Sequence, residues 1–492
     1  MNNDKSSYKD IIKSSGLIAY VQVFQMFFGL LRNKAIALIL GASGFGIWGL
    51  YNTFMEMVTA FSCLGLDRSG VREIAKSQDI ENTQRCIWIF KRLIFSMAVF
   101  LSIVIVLLSK HISVFLFNSP DYRYGIMVMA LVILCRSLNS SFYSILNGLR
   151  FLKELAKSQI YATVAGSILA VIIIIILRER AITLALFAIA GCMAFYSYYF
   201  VRKLKITTKR PSLTEAIPII RSLYSLGLGF CVSSIISTIM TLLSRSYLSA
   251  NFDFSAVGIY QASWTISNLY IGIILSAMGV DFMPRLTAVS DSREETNKLI
   301  NHQLEMGLLL SCVGVVGILI FSEYILYLLY SKEFIIGSEI IRWQVLGVAL
   351  RIFAFPFSYT IAAKGNSILY AITQLVFWPL DYLLLMFFGN LLGFEGLGIN
   401  YVVAYCAFVV MVYGSCVYLY KFQIDVSVVK SLLMNTLFIG VAWIVSSFCN
   451  GWIKACIGVV EVIVVSYYIY YTLKSRMDIN LVELLRRKLR KQ

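Results

Sequence analysis

The feature that most constrains the fold of this chain is a series of long apolar blocks along its whole length. The blocks Val99–Ser109 and Ile168–Leu177 contain no charged residue. Charged residues make up 14% of the 492 residues, against about 25% in an ordinary soluble domain. Because a helix needs about 20 mostly apolar residues to cross a bilayer, the sequence predicts an all-α polytopic membrane protein.

We expect about fourteen transmembrane helices. The first apolar block, Gly16–Leu40, is longer than the apolar region of a signal peptide and has no small-residue cleavage site, so we expect a retained first helix. The predicted spans are residues 14–40, 44–66, 86–109, 124–147, 158–177, 182–200, 222–249, 257–279, 303–321, 341–363, 367–389, 397–419, 432–449 and 453–473.

The basic residues predict the orientation of these helices. With a cytoplasmic N-terminus, about 31 Lys and Arg fall in inner segments and about 7 in outer ones, as the positive-inside rule requires. The inner clusters are Arg68–Arg92, Arg202–Arg210 and Arg486–Lys491. We therefore expect both termini in the cytoplasm, and we attribute the net charge of +17 to topology and not to nucleic-acid binding.

A weak internal repeat predicts how the chain is divided. Phe45–Trp48 and Val257–Tyr260 each place Gly-Ile-aromatic at the start of a span, and a Gly-x-Asp ending at Asp67 or Asp281 closes that span. Such halves would be related by an axis along the membrane normal. We expect an N-lobe over residues 1–210, a C-lobe over 211–425 joined through the basic stretch 201–221, and two extra helices with a basic cytoplasmic tail over 426–492.

Basic residues inside the predicted spans indicate a cavity. Ionisable groups in spans usually face a cavity or a partner, and the acids available there are only Glu56, Asp381 and Glu461. Because guanidinium groups without enough acids are costly to bury and suit phosphate oxygens, we predict a cationic, anion-binding cavity. Its candidate residues are Arg32, Lys34, Arg136, Arg245 and Arg351.

Polar side chains at helical spacing extend this prediction. Spans one, two, four, seven, eight, ten and eleven carry a polar face, whereas spans five and six have no comparable one. Such a face lines a cavity or bonds one helix to another, and both alternatives stay open. The candidates for the cavity are Gln25, Asn52, Tyr143, Asn147, Gln261 and Asn268, and nearby rings such as Tyr51 and Trp264 could stack on sugars.

Four acidic residues are candidates for coupling to a proton or sodium gradient. They are Glu56, Asp381, Asp67 and Asp281. For Asp67 and Asp281 the alternative is a solvated helix end.

The sequence contains no pattern typical of an enzyme. Its two histidines, His111 and His302, lie far apart, and it has no Walker A, zinc-site or Gly-x-Ser-x-Gly motif. We therefore expect neither catalysis nor a cofactor or metal.

At the level of motifs, the chain resembles the polysaccharide-transporter branch of the multidrug/oligosaccharidyl-lipid/polysaccharide (MOP) superfamily, the Wzx-type flippases of O-antigen and capsule repeat units. The matching residues are Leu40-Gly41, Phe45-Gly46, Leu50, Leu64–Leu66, Arg72–Ala75, Gly258–Tyr260, Met283–Leu286, Leu329–Ser331 and Phe334.

This resemblance implies two pseudo-symmetric six-helix lobes plus two C-terminal helices around a central cavity that opens alternately to each side. It implies as cargo an undecaprenyl-pyrophosphate-linked oligosaccharide, moved from the inner to the outer leaflet of the bacterial cytoplasmic membrane. A polysaccharide polymerase and chain-length machinery would be partners. In related peptidoglycan-precursor flippases the last two helices hold the lipid tail, a role that the last two spans could take here.

Two other functions compete with this one. A cation-coupled multidrug exporter of the same superfamily needs an acid in its first helix, where this chain has Arg32 and Lys34. A membrane glycosyl polymerase or ligase needs a large outer loop, and no predicted outer connection exceeds about 20 residues, too few for a folded domain.

Overall fold

A computed structural model describes residues 2–76 and 79–477, and this part of the chain is almost entirely helical, with no strand. The helices are α1 (Asn2–Cys63), α2 (Leu66–Lys76), α3 (Ile80–Leu107), α4 (Ser109–Phe117), α5 (Arg123–Gly148), α6 (Leu152–Leu177), α7 (Ile182–Lys203), α8 (Leu213–Asn251), α9 (Phe254–Ala288), α10 (Arg293–Leu329), α11 (Gly337–Ala363), α12 (Ser367–Leu392), α13 (Gly396–Tyr420), α14 (Val426–Phe448) and α15 (Gly451–Met477). Three 3-10 turns lie at Pro120–Tyr122, Arg178–Ala181 and Lys332–Phe334. The predicted all-α class is confirmed.

Helix α1 is a run of 62 residues that is interrupted at Gly41. Gly41 has a φ of 68° and a ψ of −171°, a conformation that residues with a Cβ rarely adopt. The gap predicted between the first two spans, at residues 41–43, contains this interruption. The glycine of the Leu40-Gly41 motif therefore has a conformational role.

The chain is a multi-pass membrane protein. Ten helical stretches among the described residues are long and apolar enough to cross a membrane, or eleven if the bent α9 counts as one span. Two of the ten, Tyr20–Cys63 and Leu152–Lys203, have 44 and 52 residues, about twice what one crossing needs. The first is interrupted at Gly41 and the second at the Arg178–Ala181 turn. The count of fourteen spans stays a prediction, and so does the orientation of the termini.

The described chain packs as two compact units. The first contains the residues up to Gly258 together with Leu329–Ser331, and the second contains Ile259–Leu328 and the residues from Lys332 onward. Helix α8 thus belongs to the first unit. The lobes 1–210, 211–425 and 426–492 stay a prediction, and the predicted basic cluster Arg486–Lys491 lies outside the described residues.

Inside the first unit the two glycines of the repeat motif meet. A Cβ on Gly46 would overlap the carbonyl oxygen of Phe254 and lie 3.0 Å from the backbone nitrogen of Gly258. A Cβ on Gly258 would overlap the carbonyl oxygen of Ala42 and lie 2.9 Å from the nitrogen of Gly46. Because backbones approach this closely only where side chains are small, α1 and α9 can cross here only with glycine on both sides.

The connection between α7 and α8 is bound to α3. Arg85 of α3 pairs with Glu215 at 2.9 Å, and the backbone N–H of Ser212 donates to the Glu215 carboxylate at 2.9 Å to begin α8. This N–H holds the pKa of Glu215 below its usual range. Ile206 packs against a core cluster that contains Phe90. The stretch predicted as a linker is therefore an ordered part of the first unit.

Candidate functional site

The first unit contains a polar cavity of about 390 Å³, which we call the Arg136 cavity. It lies among α1, α5, α6 and α7. Its lining residues are Gln25, Thr59, Arg136, Asn139, Ser140, Tyr143, Gln159, Ala162, Met193 and Ser197.

The guanidinium of Arg136 has only a poor acceptor in this cavity. Its Nη1 donates to the thioether sulphur of Met193 at 3.1 Å, and a thioether is a weak acceptor for a cation with several N–H donors. Glu56 lies within electrostatic range of Arg136, but no ion pair of the described residues includes Arg136. The arrangement leaves N–H groups of Arg136 available to an anion.

A second arginine adds positive charge near Arg136. Arg32 is half-buried, lies within electrostatic range of Arg136, and places its guanidinium carbon 5.9 Å from the centre of the Trp48 ring. Its Nε atom is buried without a hydrogen-bond partner in the described part of the chain. Lys34, two residues further along α1, is half-buried. Two guanidinium groups in one region are a favourable arrangement for a phosphate group.

The other candidates of the first unit differ in their placement. Gln25 donates to Thr163 of α6 at 3.4 Å, whereas Asn52 donates to the carbonyl of Trp48 at 2.9 Å, within its own helix. Tyr143 lines the Arg136 cavity, and Asn147, one turn later on α5, is half-buried.

Sequence reasoning missed the contribution of α6 and α7, the predicted spans five and six. Gln159 of α6 lines the cavity, and Ser197 of α7 donates to the side-chain oxygen of Asn139 at 2.8 Å. Because these spans have no polar face comparable to those of the other spans, their residues were not among the predicted cavity candidates. The signal was present but sparse, since Gln159 and Thr163 stand four residues apart in a helix that is otherwise strongly apolar.

Arg245, the fourth basic candidate of the first unit, takes part in helix packing. It is buried, and its Nη1 donates to the carbonyl of Gly49 at 3.0 Å and to the hydroxyl of Thr53. These bonds join α8 to the second half of α1. Thr53, which sequence reasoning did not single out, is the side-chain acceptor.

The second unit contains a different arrangement, which we call the Arg351 network (Arg351, Asn268, Tyr401 and Trp264). Arg351 Nη1 donates to the side-chain oxygen of Asn268 at 2.8 Å, and the Tyr401 hydroxyl donates to the same oxygen at 3.5 Å. Asn268 in turn donates to the Trp264 carbonyl at 3.1 Å, and the Trp264 and Tyr401 rings meet edge to face at 5.1 Å. Gln261, two turns before Asn268 on α9, donates to Thr265 at 3.4 Å.

The acidic candidates are in four different environments. Asp381 of α12 is buried, and Asn400 of α13 donates to its carboxylate at 2.7 Å. Asp281 is exposed and pairs with Arg285 one turn away at 3.0 Å. Asp67 is half-buried and lines a small cavity of about 130 Å³ that shares Thr59 and Ser140 with the Arg136 cavity. Glu56 is exposed.

A comparison with known protein families identifies the chain at the level of family. The model of a family described as polysaccharide biosynthesis protein matches residues 11–290, more than half of the chain. The chain belongs to this family. The match covers the Arg136 cavity and Arg245, whereas Arg351 and Asp381 lie beyond it.

Curated relatives of this chain have names that denote transport. The chain is 20% identical over 366 residues to the lipid III flippase of Escherichia coli (strain K12), covering 74% of this chain and 86% of the relative. It is 25% identical over 369 residues to a Shigella flexneri protein named "Putative O-antigen transporter", covering 71% and 84%.

Solved structures show the same fold. The lipid II flippase MurJ in an inward closed conformation matches with a TM-score of 0.72 at 16% identity, over 93% of this chain and 99% of that chain. A MATE family multidrug resistance transporter of the MOP superfamily, inward-facing, matches with a TM-score of 0.68 at 14% identity, over 85% and 95%. These structures share the fold of this chain, and the resemblance noted in the sequence is confirmed at the level of the polysaccharide biosynthesis family.

Proposed function

We propose that the protein is a flippase that moves an undecaprenyl-pyrophosphate-linked oligosaccharide, an O-antigen or capsule repeat unit, from the inner to the outer leaflet of the cytoplasmic membrane. The observation that carries the proposal is the Arg136 cavity, where a half-buried guanidinium has a thioether as its hydrogen-bond acceptor. The names of the curated relatives, a lipid III flippase and an O-antigen transporter, support the same class of cargo.

The energetics of a half-buried guanidinium inside a membrane protein favour an anionic cargo. A charge inside a membrane protein that is not balanced by a good partner costs several kcal/mol, and a bound phosphate offsets this cost through charge-assisted, bidentate hydrogen bonds. Arg136 and Arg32 would hold the pyrophosphate, with Lys34 adding charge. Gln25, Asn139, Tyr143 and Gln159 offer hydrogen bonds that a sugar can accept or donate.

Transport would proceed by alternating access, with the cargo entering from the cytoplasmic side. The excess of Lys and Arg in the predicted inner segments places both termini in the cytoplasm in this proposal. Arg245 and Arg351, the other predicted cationic residues, each donate to an acceptor in their own unit, so their charges would act mainly in helix packing.

Asp381 is our candidate for coupling transport to a proton or sodium gradient. It is a buried carboxyl on α12 with an amide donor, Asn400, at 2.7 Å. Buried ionisable groups in membrane helices commonly mark ion pathways. Glu56 and Asp67 are secondary candidates, whereas Asp281 has a partner in Arg285 and is exposed.

A cation-coupled multidrug exporter is the second candidate, since MATE transporters share the fold. Cationic drugs would need an acid in the first half of α1, where the charged residues of the transmembrane part are Arg32 and Lys34. Drug resistance that falls on deletion of the gene, with unchanged surface polysaccharide, would favour this alternative.

The decisive test is to delete the gene and to measure lipid-linked saccharides on each side of the membrane. We expect repeat units to accumulate on the cytoplasmic side, and complementation with Arg136→Ala to leave them there. Arg123→Ala is the matched control, because it removes an exposed arginine from the same helix. Normal surface polysaccharide with Arg136→Ala at normal protein level would contradict the role of the Arg136 cavity.

A further inference from the structure

The first unit has another cavity, of about 440 Å³, which we call the tyrosine cavity. It lies between the two 3-10 turns Pro120–Tyr122 and Arg178–Ala181, beside the start of the second half of α1. The lining residues with aromatic or polar side chains include Tyr51, Asp121, Tyr122, Tyr124, Glu179 and Thr183.

Its aromatic wall is held in place by ring contacts. The Tyr122 ring stacks on Phe117 at 4.3 Å with an angle of 23°, and the Tyr51 ring lies 4.7 Å from the same Phe117. A Cβ on Gly125 would overlap the Tyr51 hydroxyl, so the glycine makes room for that ring. Tyr124 projects from this wall and is 77% exposed, which leaves its ring faces open to a ligand.

The carboxylates of this cavity retain free acceptor capacity. Asp121 accepts a hydrogen bond at Oδ2 from the Ser119 hydroxyl at 2.7 Å, and neither Asp121 nor Glu179 takes part in an ion pair of the described residues. Both side chains are exposed. With Arg180 as the one basic lining residue, the cavity has an acidic balance and disfavours phosphate.

We propose that the tyrosine cavity binds a saccharide through its hydroxyl groups and its apolar ring face. Ionised carboxylates accept strong, often bidentate hydrogen bonds. Two adjacent hydroxyl groups of a sugar can donate such a pair of bonds to one carboxylate. Tyrosine rings offer a flat apolar surface with a polar tip, which matches the C–H face of a pyranose. A concave, partly aromatic site with a few polar groups has the general form of a small-molecule site.

A neighbouring cavity suggests that the saccharide is attached to a lipid. It measures about 610 Å³ and shares Glu179 and Arg180 with the tyrosine cavity. Its other lining residues are Arg178 and four aliphatic residues, Ile39, Leu40, Ile176 and Leu177. A sugar attached to a lipid could place its chain along this wall. The lipid-linked source of the saccharide rests on the proposed flippase function. The binding of a saccharide to the tyrosine cavity does not depend on that function.

The test is saturation-transfer NMR on the full-length protein in lauryldimethylamine oxide, a detergent without sugar. The probes are glucose, N-acetylglucosamine and inorganic pyrophosphate. We expect both sugars to bind the wild type with a Kd of about 1–10 mM, as is usual for ligands of this size.

Tyr124→Ala and the double variant Asp121→Ala/Glu179→Ala should each weaken binding about fivefold or more, since charge-assisted bonds and ring contacts are lost. Tyr124→Trp, which keeps a ring, should bind.

Matched controls are Tyr467→Ala and Glu395→Ala, which remove an exposed ring and an exposed carboxylate from the second unit and should bind like the wild type. Three results would each overturn the proposal. They are equal sugar signals in all variants, no sugar signal in the wild type, and displacement of the sugars by pyrophosphate. Octyl glucoside, a sugar with an alkyl chain, tests the source of the saccharide by competition with the bound sugars. If it displaces them at a lower concentration than glucose does, the source is lipid-linked. If both compounds displace them at the same concentration, the source is a free saccharide. If the deletion strain accumulates cargo but sugars do not bind, the saccharide site alone fails.

Discussion

The Arg136 cavity and the Arg351 network each contain an arginine, but the two arginines differ in the quality of their hydrogen-bond acceptors. Arg136 donates to a thioether beside about 390 Å³ of space. Arg351 donates at 2.8 Å to the amide oxygen of Asn268, which also accepts from the Tyr401 hydroxyl. A satisfied buried network makes a protein rigid, whereas a poorly satisfied charge gains from a ligand. In the function that we propose, the first unit would therefore hold the anion, and the second would supply a rigid frame with a buried acid, Asp381.

The largest expected effect is that of Arg32→Ala combined with Arg136→Ala. Each charge-assisted contact to the proposed pyrophosphate would contribute about 1.5–3 kcal/mol, so losing both should reduce export more than about 100-fold. Surface polysaccharide per cell, normalised to protein in the membrane, measures the effect. If the double variant keeps half of the wild-type export, while Arg351→Ala abolishes it, the roles of the two regions are reversed.

Asp381→Asn should remove the response to an ion gradient. The asparagine keeps an oxygen for the Asn400 donor but cannot take up a proton or balance a sodium ion. A coupling free energy of about 1.4 kcal/mol corresponds to a tenfold change in an equilibrium constant, so we expect the gradient-driven accumulation of cargo to fall about tenfold. Transport in proteoliposomes with and without proton or sodium gradients is the measurement, and Asp67→Asn is the comparison variant. A full gradient response in Asp381→Asn would remove this residue from the coupling.

Arg351 and Arg136 should also differ in their contribution to stability. We expect Arg351 to matter more for the free energy of unfolding and Arg136 to matter more for export. Arg351→Ala leaves Asn268 without its charged donor and should lower the free energy of unfolding by about 2 kcal/mol. Arg136→Ala removes a half-buried charge whose hydrogen-bond acceptor is a thioether, so stability should stay the same or rise. Thermal unfolding of the purified variants in one detergent tests this. A lower melting temperature for Arg136→Ala than for Arg351→Ala would show that the Arg136 cavity is the structural one.

Met193→Leu should have the smallest effect. It removes the sulphur that accepts from Arg136 and nearly conserves volume, so export should stay within about twofold of the wild type. Asn268→Leu is the counterpart in the second unit and should destabilise the protein, because Arg351 then loses its acceptor. Loss of export in Met193→Leu would mean that the thioether itself positions Arg136 for function.

The helical fold was predictable because its signals are local. Apolar blocks of about 20 residues specify membrane helices by themselves, and the gap at residues 41–43 matches the interruption at Gly41. The helical stripes also indicated that Arg136 and Tyr143 share a face of α5, and both line the same cavity. The close crossing of Gly46 and Gly258 could not be predicted, because the repeat motif does not say which helices meet.

By itself the sequence determined that this chain crosses a membrane many times and carries arginines in its spans with few acids to balance them. Both properties depend on residue type and on periods of a few residues. Only the tertiary structure decided that Met193 is the acceptor for Arg136, that Gly49 and Thr53 are the acceptors for Arg245, and that Asn268 is the acceptor for Arg351. These partners lie 57 to 196 residues away along the chain. Helix packing brings them together, and the quality of each acceptor decides which arginine is available to a ligand.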